Sequence, residues 1–103
     1  MEREVINLTP QIGTLTGDIY RLTNVDYNSK VSFKLLFKNI QHKDISAGCA
    51  SCTKAIVEQK GEDVEVTITY TPNRGASKGV FSKSFTEHYK DGQRKITFTG
   101  NAK

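Results

Sequence analysis

The chain has 103 residues, 36% hydrophobic and 25% charged, a balance that fits one globular domain and excludes a disordered chain. No apolar run reaches the roughly 20 residues that a membrane-spanning helix needs. The net charge is +4 and uneven, with seven Lys/Arg from Pro72 to Lys103 against only Glu87 and Asp91. That basic third is expected to be a solvated face, with an acidic partner or nucleic acid as the functional alternative. The opening stretch, MEREVINLTP, is charged and alternating, unlike a secretory signal. It predicts a protein made in a reducing cytosol, where a structural disulfide is disfavoured.

In chain order, Ile6 and Leu8 predict a short strand stopped by Pro10, and Ile19 to Thr23 another. Residues 24–29 carry a turn signal. Val31, Phe33, Leu35 and Phe37 then alternate with Lys30, Ser32, Lys34 and Lys38, the period of a half-buried strand. Leu36 breaks the polar face and is a candidate partner contact. Ile56 and Glu58 alternate with Val57 in a weaker strand, and Lys60-Gly61-Glu62-Asp63 reads as a turn. Val64, Val66, Ile68 and Tyr70 alternate with Glu65, Thr67 and Thr69. A flexible loop is expected from Pro72 to Gly79. In the next strand Phe81 and Phe85 share a face with Lys83, which predicts that Lys83 sits at an edge or beside a bulge. Asp91-Gly92 signals a hairpin into Ile96 and Phe98, with Thr97 and Thr99 opposite. No window carries a helical stripe. The pattern predicts an all-β, immunoglobulin-like β-sandwich of about seven strands, residues 1–103 forming a single domain.

The most chemical-looking stretch is SAGCASCTK, which holds both cysteines as Cys49-Ala50-Ser51-Cys52. A structural zinc site wants four tetrahedral ligands. Only His42 and His88 could complete the set, and neither has metal-site spacing to the cysteines. A thioredoxin-type couple needs a helix N-terminus that this β pattern does not supply. The favoured reading is two small reduced side chains filling one end of a core. No nucleophile elbow, P-loop or dinucleotide fingerprint is present. The histidines and scattered carboxylates are expected on exposed surface. Phe81, Phe85 and Phe98 fall where a core needs them, so they are not free to stack on bases. The sequence therefore assigns no catalytic residue, no cofactor, no metal, no small-molecule substrate, no membrane and no nucleic acid.

An ordered set of short motifs spans about residues 30 to 100. It runs from Phe33-Lys34-Leu35-Leu36-Phe37-Lys38-Asn39 to Gly48-Cys49-Ala50-Ser51-Cys52-Thr53, then Lys60-Gly61-Glu62 and the strand from Val64 to Tyr70. Thr71-Pro72-Asn73-Arg74-Gly75, Gly79-Val80-Phe81 and Ile96-Thr97-Phe98-Thr99-Gly100 complete it. In this order the pieces resemble short immunoglobulin-like domains related to the Hydin-like (ASH) group, found as uncharacterised proteins in Bacteroidetes. Where that family has Cys-x-Cys at the turn, this chain has Cys-x-x-Cys. The resemblance implies a fold and no reaction. Small immunoglobulin-like domains of this type are also similar to accessory proteins of tailed-bacteriophage virions. That likeness implies a protein made in the bacterial cytoplasm that decorates or cements a capsid, with the major capsid protein or another virion protein as partner. The expected contacts are Arg74 and Lys78 in the 72–79 loop, Asp26 and Tyr27 in the 24–29 loop, and Leu36. The alternatives are an intracellular protein–protein interaction module offering a sheet edge, and a zinc- or thiol-dependent protein using Cys49 and Cys52.

Overall fold

The computed structural model describes residues 4–103. Among them are nine strands: β1 (Val5–Asn7), β2 (Gly13–Thr16), β3 (Ile19–Leu22), β4 (Val31–Phe37), β5 (His42–Ala47), β6 (Thr53–Lys60), β7 (Asp63–Tyr70), β8 (Gly79–Tyr89) and β9 (Gly92–Ala102). One short helix, α1 (Pro72–Gly75), lies between β7 and β8. The strands form a four-stranded sheet, β1-β4-β7-β6, and a five-stranded sheet, β2-β3-β9-β8-β5. β1, β4, β7 and β6 stand in the order A-B-E-D of an immunoglobulin sandwich, and β5, β8 and β9 are its C, F and G. The β2–β3 hairpin extends the second sheet, with β3 running parallel to β9.

Alternation makes the core. Phe33, Leu35 and Phe37 of β4 and Val64, Val66, Ile68 and Tyr70 of β7 are buried. They face Tyr20 and Leu22 of β3, Phe81 and Phe85 of β8, and Ile96 and Phe98 of β9. The rings form one connected cluster. Tyr20 stacks on Phe33 with centroids 4.3 Å apart, Phe98 lies 5.5 Å from Phe33 and 5.4 Å from Tyr70, and Phe81 lies 4.7 Å from Tyr70. Tyr20 also reaches a polar rim, where its Oη lies 3.1 Å from Asn7 Oδ1 and 2.9 Å from Thr9 O.

The two strands that periodicity misses are short or peripheral. β2 has four residues, and β5 carries Lys43, Asp44 and Ser46 exposed, with a register shift between His42 and Asp44. An edge strand is tied to its sheet by backbone hydrogen bonds more than by side-chain burial, so its sequence need not alternate. The first strand is Val5–Asn7, and Leu8 lies outside it, 39% exposed. The hairpin expected at Asp91-Gly92 forms with Gly92 already in β9, paired with Tyr89. The turn at Gly61 closes because that residue holds a φ of 64°, a left-handed conformation that glycine adopts without steric cost.

Lys83 sits at an edge, as its phase predicts, but at a local one. β8 is an interior strand, and its pairing with β9 shows no register shift. β5, however, leaves β8 just after Ala47 pairs with Phe85. Lys83 therefore lies beyond the end of its neighbour and turns across the sandwich mouth, where Nζ donates to Gly75 O at 2.8 Å.

Candidate functional site

Strand register sorts the loops into two ends. Val31 and Thr53 both pair with Tyr70, and Gly79 pairs with Ala102. The 24–29 loop, the cysteine turn at 48–52, the 71–78 segment and the C-terminus therefore share one end. The chain terminus locks the first of these loops, since Lys103 N donates to Val25 O and Tyr27 N to Lys103 O, both at 3.0 Å.

The predicted contact residues divide. Tyr27 and Lys78 meet, with Lys78 Nζ 5.8 Å from the Tyr27 ring centroid. At an exposed site such a cation–π pair contributes about 0.5–1 kcal/mol. Asp26 serves its own loop, because Oδ1 accepts from Asn28 N at 2.8 Å. Arg74 is exposed on α1 beside the cysteine turn. Leu36 is not with them. It is half-buried near the far end of β4, opposite Ile6 of β1 and Glu65 of β7, so its surroundings come from this chain.

The cysteines overturn their expectation of reduced thiols. Cys49 and Cys52 form a disulfide with Cα atoms 5.6 Å apart, Cys52 buried and Cys49 half-buried. The turn at the corner between β5 and β6 brings the two side chains together. Thr71 N donates to Cys52 O at 2.8 Å and ties the turn to the segment before α1. Behind it lies Tyr70, whose Oη is buried without a hydrogen-bond partner among the described residues. Burial pushes this phenol up from its ordinary value.

Closing so short a loop restricts the unfolded chain only modestly, so reduction is expected to cost about 2 kcal/mol. A thermal melt with and without dithiothreitol checks this. The Cys49→Ser/Cys52→Ser protein should match the reduced one, and an unchanged melting temperature would refute a structural role. Gly75 fits this corner for lack of a side chain. A Cβ there would stand 2.8 Å from Cys52 Sγ and 2.9 Å from Tyr70 Oη. Gly75→Ala should therefore destabilise by about 1–3 kcal/mol in a urea titration, as overpacking does.

The opposite end holds a buried polar pair. Glu87 continues the inward phase of Phe81 and Phe85 and is fully buried. His42 Nδ1 lies 2.7 Å from Glu87 Oε2 and 3.0 Å from Oε1. Burial holds the Glu87 carboxyl above the usual carboxylate range, and the His42 contact opposes that in part. Gln59 frames the pair. Its Oε1 accepts from His42 N, and its Nε2 reaches Ile40 O, Gly61 O and Asp63 O. The expectation that both histidines lie on open surface thus fails for His42. The inward phase of Glu87 with Phe81 and Phe85 is the signal that could have found it. His88 is on the outer face, its Nε2 3.1 Å from Ser46 Oγ. The four side chains weighed as zinc ligands are therefore otherwise engaged. No group of three metal-type ligands occurs among the described residues.

No family model matches this sequence, and no curated protein matches it. Solved structures share its fold. A family 123 glycoside hydrolase from Clostridium perfringens, studied for glycolipid glycan hydrolysis, aligns with a TM-score of 0.64 at 7% identity over 99% of this chain. Domains 4 and 5 of the S-layer protein SbsC align with a TM-score of 0.50 at 16% identity over 98% of it. The chain spans 27% of the first protein's length and 53% of the second's. At these identities the likeness is one of fold.

Proposed function

We propose that this domain is a non-enzymatic structural module that docks on an acidic protein surface through its loop end. The assembly favoured is the shell of a tailed-bacteriophage virion. One observation carries the reading. The loops at that end and their flanks present Lys30, Lys54, Arg74, Lys78 and Lys103, all exposed, against the single carboxylate side chain of Asp26. A cluster of one sign steers association with an opposite surface and sets its specificity. The disulfide supports a destination outside the reducing cytosol, such as a virion or cell surface. The fold's occurrence in an S-layer protein is in keeping with a structural role. The resemblance to Hydin-like domains is part of this same proposal.

The test mixes purified domain with undecorated shells and sediments them. Binding should saturate, weaken as salt rises, and drop sharply for Arg74→Glu/Lys78→Glu. A domain that stays in the supernatant, or is missing from purified virions, ends the virion reading.

A second reading, an interaction module offering a sheet edge, is favoured by β6. This eight-residue strand terminates its sheet and leaves Ile56 54% exposed. Crosslinking in cells from a photoreactive residue at position 56 would capture one cellular partner on this reading, and none if it is wrong.

A further inference from the structure

The outer face of the β1-β4-β7-β6 sheet divides into two electrostatic halves. Toward the β6–β7 hairpin the cations are neutralised. Glu65 lies 3.7 Å from Lys34 and 2.8 Å from Lys60, and Asp63 lies 2.9 Å from Lys38. Toward the loop end they are not. Lys30, Lys54 and Arg74 line a crevice of about 240 Å³ together with Ser51, Thr53, Thr69 and Thr71, and no carboxylate lines it. None of the three cations has an ion pair among the described residues.

Register explains the placement. Lys54 pairs with Thr69, which pairs with Ser32, so these residues share one row of the outer face. Lys30 lies two residues before Ser32, and α1 brings Arg74 in beside them. Three unneutralised cations set among hydroxyl groups match one oxyanion, with the arginine fork suited to a carboxylate. The crevice falls below the usual size of small-molecule pockets, so it suits one group projecting from a larger partner.

The next feature along the same strand points to what that partner is. β6 begins at this crevice, has no strand on its far side, and places exposed Ile56 two residues beyond Lys54 on the same face. An extended peptide added to this edge presents side chains to that face at alternate positions. We infer that β6 and the Lys30–Lys54–Arg74 crevice together form a docking site for an extended acidic protein segment. One Asp or Glu enters the crevice, and an apolar residue two positions away covers Ile56. This rests on the docking reading above and names its partner's chemistry.

The test titrates isotope-labelled domain with the ten-residue peptide Thr-Glu-Thr-Val-Thr-Glu-Thr-Val-Thr-Glu, whose glutamates and valines stand two positions apart on one face, and with its glutamine counterpart. Amide shifts should map to residues 51–60 and 69–74 with the first peptide and be absent with the second. Each exposed charge pair is worth up to about fivefold in affinity, so Lys54→Ala/Arg74→Ala should weaken binding severalfold, up to roughly 25-fold. Binding should also fall between low and physiological salt. Equal binding of both peptides, shifts confined to other strands, or no shifts overturn the inference. So does saturation by inorganic phosphate with no response to the peptide, which would make the crevice a free-anion site. Peptide binding without sedimentation on shells would remove the virion reading and leave this site standing. Shell binding without peptide binding would do the reverse.

Discussion

Phe33→Ala is expected to cost about 3–5 kcal/mol, the loss typical of deleting a fully buried ring. Phe33 is fully buried in β4 and stands where the two sheets meet. Its ring stacks on Tyr20 at 4.3 Å and also meets Phe98 at 5.5 Å and Phe85 at 6.5 Å. Truncation removes the transfer energy of the ring and leaves a cavity between rings that cannot close without moving both sheets. In a domain of this size that loss should lower the melting temperature by roughly 15 °C or more. Phe33→Leu keeps most of the volume and should cost distinctly less. Urea titration of the three proteins checks the order. Equal losses for the alanine and leucine variants would show that the cluster is not packed as described.

His42→Ala is expected to cost about 2–3 kcal/mol near neutral pH, because it strands a buried carboxyl group. Burial already holds Glu87 above the ordinary value of 4.5. The folded state therefore keeps this proton to higher pH than the unfolded state does. The resulting penalty is absent below the unfolded value and becomes full as pH rises through the raised folded value. Without His42, only the weaker field of His88 favours the charged form, and Asp44 opposes it. The variant should therefore lose stability steadily as pH rises from the ordinary value of 4.5 into the neutral range. Adding Glu87→Gln removes the titrating group and should flatten that slope. Denaturant midpoints across this range measure it, and a slope that survives Glu87→Gln would assign it to another group. Asp63 works in the opposite sense. Lys38 holds its carboxyl below the ordinary value of 3.8, so its contribution is present at neutral pH and is lost on acidification.

Much of the fold is legible in the sequence because a half-buried strand writes its burial into a period of two. Val31 to Phe37, Val64 to Tyr70 and Ile96 to Thr99 each show it, and each is a strand with the expected face inward. β5 is illegible because its pairing is made by backbone atoms at an edge and asks little of its side chains. Lys83 has the sequence signature of an edge or a bulge, and it sits at a local edge within an interior strand. A neighbouring strand that ends early opens the space for it, and nothing in the local sequence of β8 states where β5 stops.

The candidate site is legible only in part. The basic excess points to Arg74 and Lys78, and the structure places both at the loop end. Lys30 and Lys54 carry no such signal, because each belongs to a different strand region and looks like an ordinary solvated lysine. Leu36 stands out for breaking an alternation, yet β1 covers it in part. By itself, then, the sequence determined the all-β class, the inward faces and most turns, since these depend on neighbours within a few positions. The tertiary structure alone decided which distant groups meet: His42 with Glu87, and Lys30 with Lys54 and Arg74. Such meetings depend on strand order and register. Those are set by the packing of the whole sandwich, and the periodicity of a single strand does not encode them.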